Sequence, residues 1–106
     1  MEDKKTFYIT TPLYYVNDVP HIGHAYTTIL ADTMIRFKKL LGEEAFMLTG
    51  TDEHGTKVAE AAAKVNKSPQ DFVNQIVKKF TDTWKKLEIK YDHFIRTTDK
   101  YHVEVV

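Results

Sequence analysis

The sequence contains no cysteine. That excludes a disulfide framework and any thiolate zinc site within these 106 residues, while leaving the redox compartment open. It has no excess of either charge, because fifteen Lys and Arg side chains offset fifteen Asp and Glu. A chain of zero formal charge exerts no long-range pull on nucleic acid or an anionic membrane, so any such grip has to lie elsewhere. No stretch approaches the roughly 18 consecutive apolar residues that a membrane helix needs. The opening Met1-Glu2-Asp3-Lys4-Lys5 also lacks the apolar run of a secretory signal, so a cytoplasmic protein without membrane contact is the expectation. There is no internal repeat or low-complexity linker. There is also no Gly-x-x-x-x-Gly-Lys and no Gly-x-Gly-x-x-Gly, so neither the P-loop nor the dinucleotide fingerprint is available to hold a nucleotide.

What remains is a globular composition, 42% hydrophobic, 12% aromatic and 28% charged, too rich in apolar side chains for a disordered segment. At this length the chain forms one domain or part of one, with room for a single modest core.

Along the chain the periodicity alternates between two kinds. Phe7-Tyr8-Ile9-Thr10 favours a strand, and Pro12 ends it because proline has no N–H to continue a ladder. Residues 14–20, with Asn17-Asp18 and Pro20, read as a loop. Apolar residues from Ile22 to Leu41 then recur every three or four positions, the helical period, until Gly42 supplies a left-handed stop. Ala45-Phe46-Met47-Leu48 is a continuous apolar run, as expected of a second strand covered on both faces. After Gly55, Val58, Ala61, Ala62 and Val65 mark a short helix. Ser68-Pro69-Gln70-Asp71 opens another, with serine as N-cap and proline in the first turn. Its predicted core stripe is Phe72, Val73, Ile76, Val77, Phe80, Trp84 and Leu87. Residues 91–96 read as a third strand, and Thr97-Thr98-Asp99 as the cap of a last helix.

This order predicts an α/β fold, the first half of a Rossmann-like doubly wound parallel sheet with three strands and flanking helices. Val103, Val105 and Val106 carry no C-terminal helix signal, so the expectation is of a truncated domain.

In an open α/β sheet a ligand sits beyond the carboxyl ends of the strands, where a helix begins with unpaired N–H groups and roughly half a positive charge. His21-Ile22-Gly23-His24 falls at that junction. Gly23 has no Cβ to keep a phosphate or base from the backbone. Two imidazoles three residues apart on the first turn can each donate a hydrogen bond to phosphate oxygens. The same pair reads equally as a cap of the helix. As a metal site it lacks a third ligand, so no metal is expected here. Asp52, at the end of the second strand, reads as a carboxylate facing the ligand crevice, as an N-cap for the helix near Thr56, or as a loop-ordering Asx-turn. Asp32 and Arg36 read as an intrahelical ion pair, Trp84 as core, and Glu53 and His54 as loop scaffolding.

Tyr8-Ile9-Thr10-Thr11-Pro12-Leu13-Tyr14-Tyr15-Val16-Asn17 followed by His21-Ile22-Gly23-His24 resembles the signature of class I aminoacyl-tRNA synthetases, and Leu48-Thr49-Gly50-Thr51-Asp52-Glu53-His54-Gly55 resembles the loop after their second strand. The best match is the methionyl group of that family, over essentially the whole chain. The resemblance implies an enzyme that joins methionine to ATP, with Mg2+ in the substrate complex, and passes the methionyl group to tRNA(Met). It implies His21 and His24 as catalytic residues, and Thr10, His21, Gly23 and His24 as the ATP site. Leu13, Tyr15 and Asp52 would border methionine. Residues 1–106 would be the N-terminal part of the catalytic, nucleotide-binding domain. The family's Lys-Met-Ser-Lys-Ser loop, zinc-bearing insertion and anticodon-binding domain are absent from these residues. The chain by itself is therefore expected to be inactive and to self-associate through an exposed sheet edge. The alternatives are another class I synthetase, for leucine, isoleucine, valine or cysteine, and a stand-alone non-catalytic nucleotide-binding module.

Overall fold

Phe7, Tyr8 and Ile9 lie in β1 (Thr6–Thr10), and the chain resumes pairing beyond Pro12 as β2 (Tyr14–Tyr15), two residues that the sequence assigned to a loop. Both run parallel along one edge of β3 (Glu44–Asp52). Thr10 faces Leu48 whereas Tyr14 faces Thr51, so four steps along one strand match three along the other. The extra residue falls where proline cannot donate to the ladder. On the opposite edge, β4 (His93–Arg96) pairs in parallel with Leu48 to Thr51. The sheet is therefore three columns wide with β3 in the middle. The coordinates are a computed structural model that describes residues 4–106; Met1, Glu2 and Asp3, on which part of the N-terminal reading rests, lie outside the described residues.

Parallel neighbours require crossovers. Helix α1 (Ile22–Leu40) supplies the first, and α2 (Thr56–Lys64) with α3 (Pro69–Lys86) supplies the second. Both crossovers step across the sheet in the same direction, and right-handed crossovers then lie on the same face. Burial follows this geometry. Met47, Thr49 and Thr51 point into the helical layer and are fully buried, while the Tyr8 and Phe46 rings meet at 5.8 Å, tilted by 42°, on the other face and are 60% and 45% exposed. The second strand is thus covered on one face among the described residues, not on two. The architecture is the parallel sheet with flanking helices expected of a Rossmann-like fold.

The helix ends follow local chemistry. The Ser68 hydroxyl accepts from Asp71 N at 3.2 Å, and Pro69 occupies the first turn of α3. Gly42, at φ +82°, takes the left-handed conformation that closes α1. The core stripe of α3 is buried from Phe72 to Trp84, but Leu87, at its C-cap, is largely exposed. In α1 the buried residues are Thr28, Ala31, Asp32 and Ile35, and the apolar Ile22, Tyr26, Phe37 and Leu40 face outward. Asp32 earns its burial. It takes Arg36 Nε at 2.7 Å and also Lys90 N at 3.0 Å, tying α1 to the segment that leads into β4. The last helix, α4 (Lys100–Val105), begins after Asp99, whose carboxylate accepts from Arg96 N at 2.9 Å and does not cap the helix.

Candidate active site

The first turn of α1 stands at the carboxyl end of the sheet, seven residues beyond Tyr15, and is closed by an unusual cap. His21 is the N-cap, and its Nδ1 accepts from Gly23 N at 3.1 Å. In return His21 N donates to His24 Nδ1 at 3.2 Å. The two rings lie nearly parallel with centroids 3.7 Å apart. A Cβ on Gly23 would stand 2.9 Å from the His21 ring, so glycine is what allows that ring to fold back over the helix end. Because each Nδ1 is used as an acceptor, the proton of each neutral imidazole resides on Nε2. The capping reading and the donor reading are therefore compatible: the box consumes Nδ1 and leaves an Nε2–H on each ring.

His24 rests on an aromatic shelf, 4.7 Å from the Tyr14 ring and 5.2 Å from Phe80. Partial burial lowers its pKa below that of a free imidazole, and the neighbouring His21 lowers it further. The shelf is pinned by hydroxyls. Thr28 Oγ1 donates to His24 O at 2.8 Å, which commits its one proton, so the 2.7 Å bond between Tyr14 Oη and Thr28 Oγ1 has tyrosine as donor. Tyr14 thereby fixes β2 to the first turn of α1, a role that sequence reading missed because two residues after a proline do not reveal a strand.

A cleft of about 380 Å³ opens at the end of β3, within the range of small-molecule pockets. Its walls include Tyr15, Asn17, Asp52, His54, Gly55 and Lys57. Parallel pairing sets Tyr15 directly opposite Asp52. The N-cap of α2 is Gly55, at φ +129° and with no side-chain capping bond, so the capping role weighed for Asp52 is not seen. Thr10 and Leu13 do not line this cleft, nor do His21, Gly23 and His24. Thr10 is exposed at the end of β1, paired with Leu48, and Leu13 is half-buried between β1 and β2. The structure thus brings together two groups of the sequence-predicted residues, the histidine turn and the Tyr15–Asp52 pair, at the same end of the sheet. Among the described residues no group of three or more His, Cys, Asp or Glu side chains is arranged to hold a metal.

Part of a Rossmann-like parallel sheet with flanking helices, with a histidine-capped helix at the carboxyl end of its strands, is the class of structure these features define. Residues 7–106 match the family described as tRNA synthetases class I (M). The chain is 57% identical over 103 residues to a methionine–tRNA ligase of Caldanaerobacter subterraneus subsp. tengcongensis, covering 97% of this chain and 16% of that protein. It is 56% identical over 100 residues to one of Thermotoga maritima, covering 94% of this chain and 16% of that protein. It also superposes with a TM-score of 0.92, at 44% identity, on Mycobacterium tuberculosis methionyl-tRNA synthetase in complex with methionyl-adenylate, covering 94% of this chain and 20% of that one. The chain belongs to the methionyl group of the class I tRNA synthetases, and it spans about 16% of the length of the two ligases it matches.

Proposed function

We propose that residues 1–106 act as the N-terminal part of a synthetase catalytic domain that activates methionine with ATP and passes it to tRNA(Met). The observation that carries this reading is the pairing, at one end of the sheet, of two Nε2–H donors on a helix N-terminus with a cleft walled by Tyr15 and Asp52. In this reading ATP, with its Mg2+, lies along the opening turn of α1 that holds Gly23, and Thr10 borders the nucleotide. A methionine carboxylate oxygen attacks the α-phosphorus in line, the bond to the bridging oxygen breaks, and pyrophosphate departs with the electron pair. His21 and His24 donate to oxygens that gain charge as this happens, and neither forms a covalent bond. Asp52 pairs with the α-ammonium of methionine, Tyr15 gives its thioether an apolar wall, and Leu13 borders the amino acid from outside the cleft, in the turn between β1 and β2. The rate comes from positioning and electrostatics. No helix among the described residues is long and apolar enough to cross a membrane.

The test is methionine-dependent ATP–pyrophosphate exchange. The 106-residue chain alone is expected to give background rates. With these residues replacing the matching segment of the Caldanaerobacter ligase, exchange should persist, and changing His21 and His24 together to alanine should lower kcat on the order of 100-fold or more. A grafted enzyme with no methionine-dependent exchange, or one indifferent to the double change, refutes the reading. Within the described residues β1 and β4 each have one edge without a strand partner, so the isolated chain is expected to self-associate. Light scattering should show a mass that rises with concentration.

A further inference from the structure

Behind the cleft wall lies a polar cluster that none of the roles above uses. The Glu53 side chain has no solvent exposure, yet its carboxylate is fully met. Arg96 reaches it from Nε at 2.8 Å and Nη2 at 2.7 Å, Thr51 Oγ1 donates at 2.7 Å and Thr98 Oγ1 at 2.9 Å. Glu53 N donates to Thr97 Oγ1 at 2.8 Å, and Arg96 Nη2 also meets Asn74 Oδ1 of α3 at 2.7 Å. The guanidinium pKa is raised, chiefly by its hydrogen bonds to Glu53. One carboxylate thus joins the end of β3, the turn after β4 and, through Arg96, a helix.

Its position in the chain makes this more than a local tie. Successive residues of an extended chain point to opposite sides. With Glu53 held inward, its neighbours Asp52 and His54 are turned out onto the cleft wall. Just beyond, Gly55 at φ +129° occupies a conformation that residues with a side chain rarely adopt, so the cleft wall turns sharply after His54. Stability alone does not call for such a device, since well-packed apolar residues in place of a buried ion pair are often neutral or stabilising. A bidentate pair, by contrast, fixes orientation as well as distance. We propose that Glu53 and Arg96 are positioning residues that hold Asp52 in register with Tyr15 for the α-ammonium of methionine. The proposal rests on the methionine-binding reading of Asp52 above.

Two conservative variants keep the fold testable. Arg96→Lys retains the charge but loses the fork, and Glu53→Gln retains two polar atoms but loses the charge. In the grafted ligase each should raise KM for methionine about tenfold or more, with KM for ATP and kcat within about twofold. Glu53→Ala should go further, toward the roughly 100-fold cost of an ångström-scale misplacement. In the 106-residue chain itself, amide hydrogen exchange of residues 52–55 should quicken in both variants while that of Phe80 and Trp84 in α3 does not change. Equal movement of both KM values, an unchanged methionine KM, or unaltered exchange at 52–55 overturns the clamp while the functional reading stands. An unsubstituted graft with no methionine-dependent exchange instead sinks the functional reading and takes the clamp with it.

Discussion

Gly50 is the residue whose replacement should reveal most about how the site is held. It lies in the middle of β3, paired with Ile95 of β4, and a Cβ built on it would stand 1.9 Å from the Ile95 carbonyl oxygen and 2.7 Å from Ile95 Cγ2. A carbon meets a carbonyl oxygen comfortably only from about 3.3 Å, so Gly50→Ala requires the two strands to separate by roughly 1.4 Å. The obstacle is backbone and cannot rotate away. That places the cost at or above the upper end of the roughly 1–3 kcal/mol typical of overpacking. At about 3 kcal/mol it would remove much of the stability of a chain this size, and at roughly 4–8 °C per kcal/mol it would lower Tm by about 12–24 °C. The same displacement would pull Arg96 from Glu53, so the ends of β3 and β4 should loosen first. Thermal unfolding followed by far-ultraviolet circular dichroism measures the first effect, and amide exchange at residues 52–55 the second. A Gly50→Ala chain that melts within a few degrees of the parent, with residues 52–55 still protected, would show that the two strands do not approach so closely.

Other expectations follow from single contacts. Tyr14→Phe removes the donor to Thr28 but leaves Thr28 bonded to His24 O. Denaturant unfolding should therefore show a loss of about 1 kcal/mol, and a loss near zero would remove the hydroxyl from the account of how β2 meets α1. Ser68→Ala deletes the cap of α3 and should cost about 1 kcal/mol in the same assay, with Ser68→Gly costing less. His24 has a folded pKa below its unfolded value, so the native state resists protonation. Its contribution to stability is complete above the unfolded pKa of about 6.5 and is lost as pH falls from there through the folded value. In an NMR titration the His24 ring should protonate at lower pH than a free imidazole, and the neutral form of each ring should carry its proton on Nε2. An Nδ1 proton on either ring would contradict the capping box.

How much of this was legible beforehand depends on whether a feature is local. Ser68-Pro69 and Gly42 carry their own stereochemistry, and both ends lie where those residues predicted. The helical period of α3 was equally readable, because an amphipathic stripe is repeated in the chain itself. The period of α1 located the helix but not its buried side. That side holds Thr28 and Asp32, polar residues whose burial is explained by partners far away in sequence, at Tyr14 and Lys90. The two-residue strand Tyr14–Tyr15 was hidden for the same reason, since it exists through pairing with Thr51 and Asp52.

The sequence by itself determined the alternation of strands and helices, the glycine and histidine turn at the head of α1, and the kinship carried by its two signature blocks, since each is written in neighbouring residues. Tertiary structure alone decided that among the described residues one face of β3 is covered, that Tyr15 faces Asp52, and that Glu53 turns away from the cleft to meet Arg96. These are contacts between residues about 37 to 43 positions apart. Their free energy depends on the distance and burial reached once the sheet has closed, quantities that no local window of the chain contains.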